Sequence, residues 1–148
     1  MFKVLQIDHV EMFVPDRSEA ARWYERVLGL QVVPECEDWA RDGGPLMISS
    51  DGGRTKLALF EGRPTSAAET AAFRRVAFSV TGDQYLEFLR LLPDLQVHDA
   101  RGQVVTGVAS VDHDMSFSIY FNDPYEHLLE VTSYDHELIR AALATRSS

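Results

Sequence analysis

Residues 111–130 read VDHDMSFSIYFNDPYEHLLE. SFSIYFND and HLLEVTSY are predicted strands, and Asp123-Pro124 breaks the chain between them. Three side chains in this strand-turn-strand have chemistry to offer: His113, Tyr120 and Glu130. Glu130 lies between apolar neighbours, HLL before it and a valine after it. A carboxylate in such a strand needs a partner, because burying an unpaired charge is costly. Any site built here must find its other half elsewhere in the chain.

The same succession of elements occurs twice. Ile7–Val14, IDHVEMFV, alternates as a strand, with Ile7, His9, Glu11 and Phe13 on one face. Pro15-Asp16 ends it, and SEAARWYERVLG is a predicted helix with Ser18 as N-cap and Gly29 as C-cap. LQVVPECED is expected to be a strand, with Pro34 marking an edge or bulge and the acidic run a solvated edge. PLMISS, the turn DGG and TKLALFEG form an expected hairpin. RPTSAAETA is small and polar and reads as a linker. RRVAFSVT then alternates as a strand, and GDQYLEFLRLLPD is a predicted helix stopped by Pro93. LQVHDA, QVVTGVASVD, SFSIYFND and HLLEVTSY supply strands, and DHELIRAALATR a last helix. The division expected is a first βαβββ module at 1–64, a linker at 65–72, a second βαβββ module at 73–134, and a C-terminal helix and tail at 135–148, all in one domain.

Composition limits the partners. The chain has 148 residues, 45% hydrophobic, with a formal charge of -9. That charge argues against nucleic acid, which needs clustered Lys and Arg, and it would attract a cationic small-molecule ligand over long range. The single cysteine, Cys36, allows no internal disulfide and fits a reducing compartment. No long apolar run suggests a signal peptide or a membrane partner, so a cytoplasmic location is expected. Exposed sheet edges suggest a homodimer.

The repeated unit, with IDHVEMFVPD, AARWYERVLGLQVV and YFNDPYEHLLEV as its most telling stretches, resembles the vicinal oxygen chelate superfamily. Glyoxalase I, extradiol dioxygenases, fosfomycin resistance proteins and bleomycin-binding proteins are among its members. The resemblance implies an α+β fold in which two βαβββ modules pair their mixed sheets into a cup. It also implies a divalent metal (Fe, Mn or Zn) held by residues of the first and last strand of each module. The stretch at 111–130 is most similar to the extradiol dioxygenase signature, with His113, Tyr120, Asp123-Pro124 and Glu130 in its places. Glu126 stands where that pattern has a glycine, so a locally different turn is expected.

Carried over by position, the resemblance makes His9 and Glu130 metal ligands and Tyr120 and His113 catalytic. Ala58 stands where glyoxalase-like members have a carboxylate, and Arg75 where both branches have a histidine. Arginine is a permanent cation with donors only, so it cannot ligate a metal. Arg75 is expected instead to pair with Glu130 or to receive an anionic ligand group. Phe13, Phe60 and Glu11 share the His9 face by alternation and would contact a flat ligand, and Trp39 would cover it. His98, His127 and His136 read as surface residues and Cys36 as packing. Two functions stay open: a glyoxalase- or extradiol-dioxygenase-like enzyme for a small aromatic or oxygenated metabolite, and a metal-free binding protein of the bleomycin-resistance type.

Overall fold

A computed structural model describes residues 7–62 and 75–146. The linker expected at 65–72 lies outside the described residues. The chain divides into two compact units, Met1–Ala68 and Glu69–Ser148, and the fold is mixed α+β with one four-stranded sheet in each.

The first unit runs β1 (His9–Val14), α1 (Arg17–Leu28), β2 (Gln31–Val32), a short 3-10 turn (Pro34–Cys36), α2 (Glu37–Arg41), β3 (Leu46–Ser49) and β4 (Lys56–Glu61). The sheet order is β1-β4-β3-β2, with β1 parallel to β4 and the remaining pairs antiparallel. The register puts Met12 and Val14 on one face with Leu57, Leu59 and Ile48. That face packs under α1, whose Ala20, Ala21, Tyr24 and Val27 are buried. Tyr24 Oη lies 3.9 Å from Met12 Sδ, so the hydroxyl has a partner inside the core. On the opposite face Val33, Met47 and Ala58 cluster, with Cys36 and Phe60 packed against them.

Several local expectations are corrected. Asp16, not Ser18, caps α1: its carboxylate accepts from the Glu19 N–H at 2.8 Å. LQVVPECED is a strand only at Gln31–Val32. Pro34 then opens a 3-10 turn, because its fixed φ and missing N–H suit a first helical turn better than a ladder. The run expected to be a solvated edge is therefore partly helical, and Trp39 lies on α2 with half its surface exposed (51%).

The second unit repeats the plan with β5 (Val76–Ser79), α3 (Gly82–Leu95), β6 (Val111–Asp112), β7 (Phe117–Asn122), β8 (Leu128–Ser133) and α4 (His136–Arg146). Its order is β5-β8-β7-β6, again with the first strand parallel to the last. Phe117, Ile119 and Phe121 of β7 and Leu129 and Val131 of β8 are buried. The Tyr85 and Phe88 rings of α3 meet Phe117 and Phe121 at centroid distances of 6.2 and 5.6 Å. Thr81 and Gln84 close α3 with a reciprocal capping box. Pro93 does not stop this helix but sits in its last turn; the helix ends at Leu95 and Gln96 turns left-handed (φ 52°). LQVHDA and QVVTGVASVD are not full strands: His98 makes only isolated bridges to Val104 and Asn122. Asp99 diverts this segment, since its side chain accepts from the N–H groups of Arg101 and Gln103 at 2.8 and 2.9 Å, an alternative to a ladder. Among the described residues no helix is long and apolar enough to cross a membrane.

The turn between β7 and β8 is held by one buried residue. Asp123 Oδ1 accepts from the N–H groups of Tyr125 and His127 at 2.9 and 2.8 Å, and Oδ2 meets His127 Nδ1 at 2.6 Å. His127 is thus tied into the turn rather than being a free surface histidine. Glu126 takes φ 73°, so the left-handed turn is kept without the glycine. An L-residue pays about 1–2 kcal/mol for that conformation. Glu126→Gly is therefore expected to raise stability by about 1 kcal/mol after the extra unfolded-state entropy of glycine is subtracted. Urea unfolding measures this; an unchanged or lower midpoint would show that the turn is relaxed as it stands.

At the start of β1, Asp8 Oδ2 lies 2.8 Å from His9 Nδ1 and its Oδ1 accepts from Lys56 Nζ at 2.9 Å. The Lys56 side chain is 10% exposed and also donates to the Gly53 carbonyl. The His9 hydrogen bond first, then Lys56, holds the Asp8 carboxyl below its ordinary value. A depressed folded pKa contributes stability that is present above the unfolded value and lost as pH falls through the folded one. The loss should begin near the ordinary aspartate value of 3.8 and continue below it. Asp8→Asn should lower stability at neutral pH and flatten this part of the acid limb. Identical acid limbs for the two proteins would refute the linkage.

Candidate functional site

Strand parity, applied to each sheet separately, places the candidates. In the first unit the register pairs His9 with Lys56, Glu11 with Ala58 and Phe13 with Phe60, so these six residues share one face. The Phe13 and Phe60 rings lie 5.7 Å apart and tilted, an apolar patch beside the polar end of the strand. His9 Nδ1 is taken by Asp8, and His9 Nε2 is 3.6 Å from Glu11 Oε1. Trp39, on α2, is not part of this strand face.

In the second unit Glu130 sits between Ala77 of β5 and Tyr120 of β7. Arg75 immediately precedes β5, two residues before Ala77. Its guanidinium lies over the Tyr120 ring, 4.4 Å from the centroid. The Tyr120 hydroxyl is 2.8 Å from His113 Nε2. Arg75, Tyr120 and His113 therefore form one connected group, although His113 stands in the loop that separates β6 from β7. Among the described residues Arg75 makes no ion pair with Glu130, against the expectation of an Arg-carboxylate pair. Glu130 Oε1 instead accepts from Ser118 Oγ at 2.7 Å, and Ser118 Oγ lies 3.1 Å from the Thr132 hydroxyl.

Ser118 and Thr132 were not singled out in the sequence, although alternation from Glu130 and Tyr120 points to both. Lys56 and Asp8 were missed because their contact joins residues 48 positions apart. A cleft of about 490 Å³ lies in the first unit among Ala21, Leu30, Val32, Ala40 and Leu46. None of the candidate residues lines it.

A metal centre of the facial type needs two histidines and a carboxylate. Among the described residues no three His, Cys, Asp or Glu side chains form a metal-ligating group. His9 belongs to the first unit and Glu130 to the second. On the second sheet the group nearest in role to a further ligand is Arg75, a cation without a lone pair to give. Among the described residues, the donor set of neither unit taken alone fits a divalent metal.

Comparison with known proteins adds the lineage. Residues 6–131 match the family model described as Glyoxalase/Bleomycin resistance protein/Dioxygenase superfamily. Among solved structures, Oxidase ChaP-H2 is similar with TM-score 0.64 and 20% identity, covering 88% of this chain and 94% of that one. A glyoxalase/dioxygenase from Nostoc punctiforme gives 0.60 and 20%, covering 90% and 98%. The fosfomycin resistance protein FosX from Listeria monocytogenes gives 0.61 and 15%, covering 94% and 99%. No curated protein sequence matches. At these identities the structural likeness speaks for the fold alone, but the family model spans most of the chain. The repeated βαβββ topology and that match together make this chain a member of the Glyoxalase/Bleomycin resistance protein/Dioxygenase superfamily, the vicinal oxygen chelate group its sequence resembles.

Proposed function

We propose that the chain handles a small aromatic or oxygenated metabolite at the half-exposed face of the second sheet, with Arg75 standing in the place that a metal ligand has in related enzymes. The observation that carries this reading is the Arg75–Tyr120–His113 group: a guanidinium stacked at 4.4 Å on a ring whose hydroxyl meets an imidazole nitrogen at 2.8 Å. Such a group offers a fixed positive charge, a phenol and an imidazole side by side. The phenol and imidazole could position a ligand oxygen or exchange a proton with it. Superfamily chemistry of the glyoxalase or dioxygenase type uses the metal as a Lewis acid or oxygen-binding centre. The second-sheet residues support recognition without it, which favours a binding protein of the bleomycin-resistance type.

One observation favours the metal-dependent reading. Glu130 remains half-exposed on the same face as Tyr120, with Ser118 as its one hydrogen-bond donor among the described residues. Metal analysis of the purified, dialysed protein separates the two. The proposal expects iron, manganese and zinc well below one per chain, and no change in Glu130→Gln. Stoichiometric metal that Glu130→Gln removes would restore the enzyme reading. The same preparation bears on assembly. β1 and β5 are each an edge of their own sheet, and unpaired edges favour self-association, so a homodimer is proposed. A monomer by light scattering at micromolar concentration would contradict that part.

A further inference from the structure

Arg75 is not satisfied by the protein around it. Its Nε is shut off from solvent and has no hydrogen-bond partner. Among the described residues it makes no ion pair, and its guanidinium lies over the Tyr120 ring. A buried donor without an acceptor is rare in native proteins and calls for an explanation. The acidic group on the same face does not supply one: the Glu130 bond is to Ser118, and among the described residues no ion pair joins Glu130 to Arg75. Stacking fixes the guanidinium plane, and with Nε enclosed the two terminal Nη groups form the two-pronged fork that a ligand can reach.

We infer that the ligand of this face carries a small oxyanion, a carboxylate or a phosphonate, which takes the Arg75 fork in the guanidinium plane. The inference rests on the reading of the second-sheet face as the ligand site. Two oxygens on one centre match the fork in a bidentate geometry that a single carbonyl oxygen cannot reproduce. The body of the ligand would lie along the open part of the face, where Ala77 and Ser79 are exposed and Leu128 is half-buried. These are small or apolar side chains, which suit a flat aromatic body better than a second charged group. Long-range electrostatics oppose the match, since the chain carries a formal charge of -9. On the described part of this face Arg75 is the one cation. Affinity for an anion must therefore come from Arg75 itself, which makes the inference sharp to test.

The probes are benzoate, phenylphosphonate and the neutral isostere benzamide, titrated into full-length protein and followed by amide chemical shifts. At least one anion should bind about tenfold more tightly than benzamide, the ratio expected between charge-assisted and neutral hydrogen bonding. The shifted amides should lie in β5, β7 and β8. Arg75→Gln should abolish the difference while leaving weak benzamide binding in place. Equal affinity for the three probes, or no binding of either anion at millimolar concentration, overturns the inference even if Arg75→Gln proves unstable, because both results come from the wild type. If the three bind equally and Tyr120→Phe weakens all of them, the small-molecule reading stands and the oxyanion inference alone fails. If the anions are preferred but the shifts fall in the first unit, the site reading fails as well.

Discussion

The parallel pairing of the first strand of each module with its last is the constraint on which the candidate site depends. Parity is strict in a sheet, so one pairing fixes the face of every residue in the ladder. Ala77 against Glu130 puts Arg75, two residues earlier, on the same side, and the antiparallel step to β7 adds Tyr120. The equivalent pairing in the first unit gathers His9, Glu11 and Phe13 with Lys56, Ala58 and Phe60. A slip of one residue in β8 would send Glu130 to the face packed beneath α3, among Phe117, Ile119 and Phe121. An unpaired carboxylate there is costly enough to forbid the slip.

On the second sheet that constraint leaves a choice of partner for Arg75. Stacking on an aromatic ring contributes about 0.5–2 kcal/mol, depending on desolvation. A partly exposed ion pair with a carboxylate contributes about 0–1 kcal/mol. The two are close, and the local groups decide between them. Ser118 is buried and its hydroxyl satisfies Glu130, while Tyr120 is fixed at its far end by His113. Arg75 accordingly lies on the ring, with its terminal Nη groups unpaired among the described residues. The arrangement keeps a charge available to a ligand, which a closed Arg-Glu pair would not.

Much of this was legible in the sequence because alternation is a local signal. IDHVEMFV and RRVAFSVT show their faces within a few residues, and the repeated order of elements shows the fold class. Where the reading failed, a single side chain had captured the backbone. Asp16 took the cap from Ser18, Pro34 cut a predicted strand short with a 3-10 turn, and Asp99 put a turn where LQVHDA and the start of QVVTGVASVD were predicted to be strands. Glu126 shows the converse: the buried Asp123 imposes a left-handed turn that the residue type alone argues against. The partner of Arg75 was not legible at all, since a long side chain selects among ring and carboxylate only after the strands have been placed. His113 was found through the resemblance to the extradiol dioxygenase signature, and the structure supplies the physical link, a hydrogen bond to Tyr120 of 2.8 Å.

The claim at the centre of this account is that Tyr120, not Glu130, holds Arg75. Double-mutant cycles on unfolding free energy measure it directly, with Arg75→Gln combined first with Tyr120→Leu and then with Glu130→Gln. The account predicts a coupling of about 0.5–2 kcal/mol between Arg75 and Tyr120, and a coupling near zero between Arg75 and Glu130. A strong coupling to Glu130 with none to Tyr120 would contradict it, and would show that the guanidinium is spent on an internal ion pair rather than kept for a ligand.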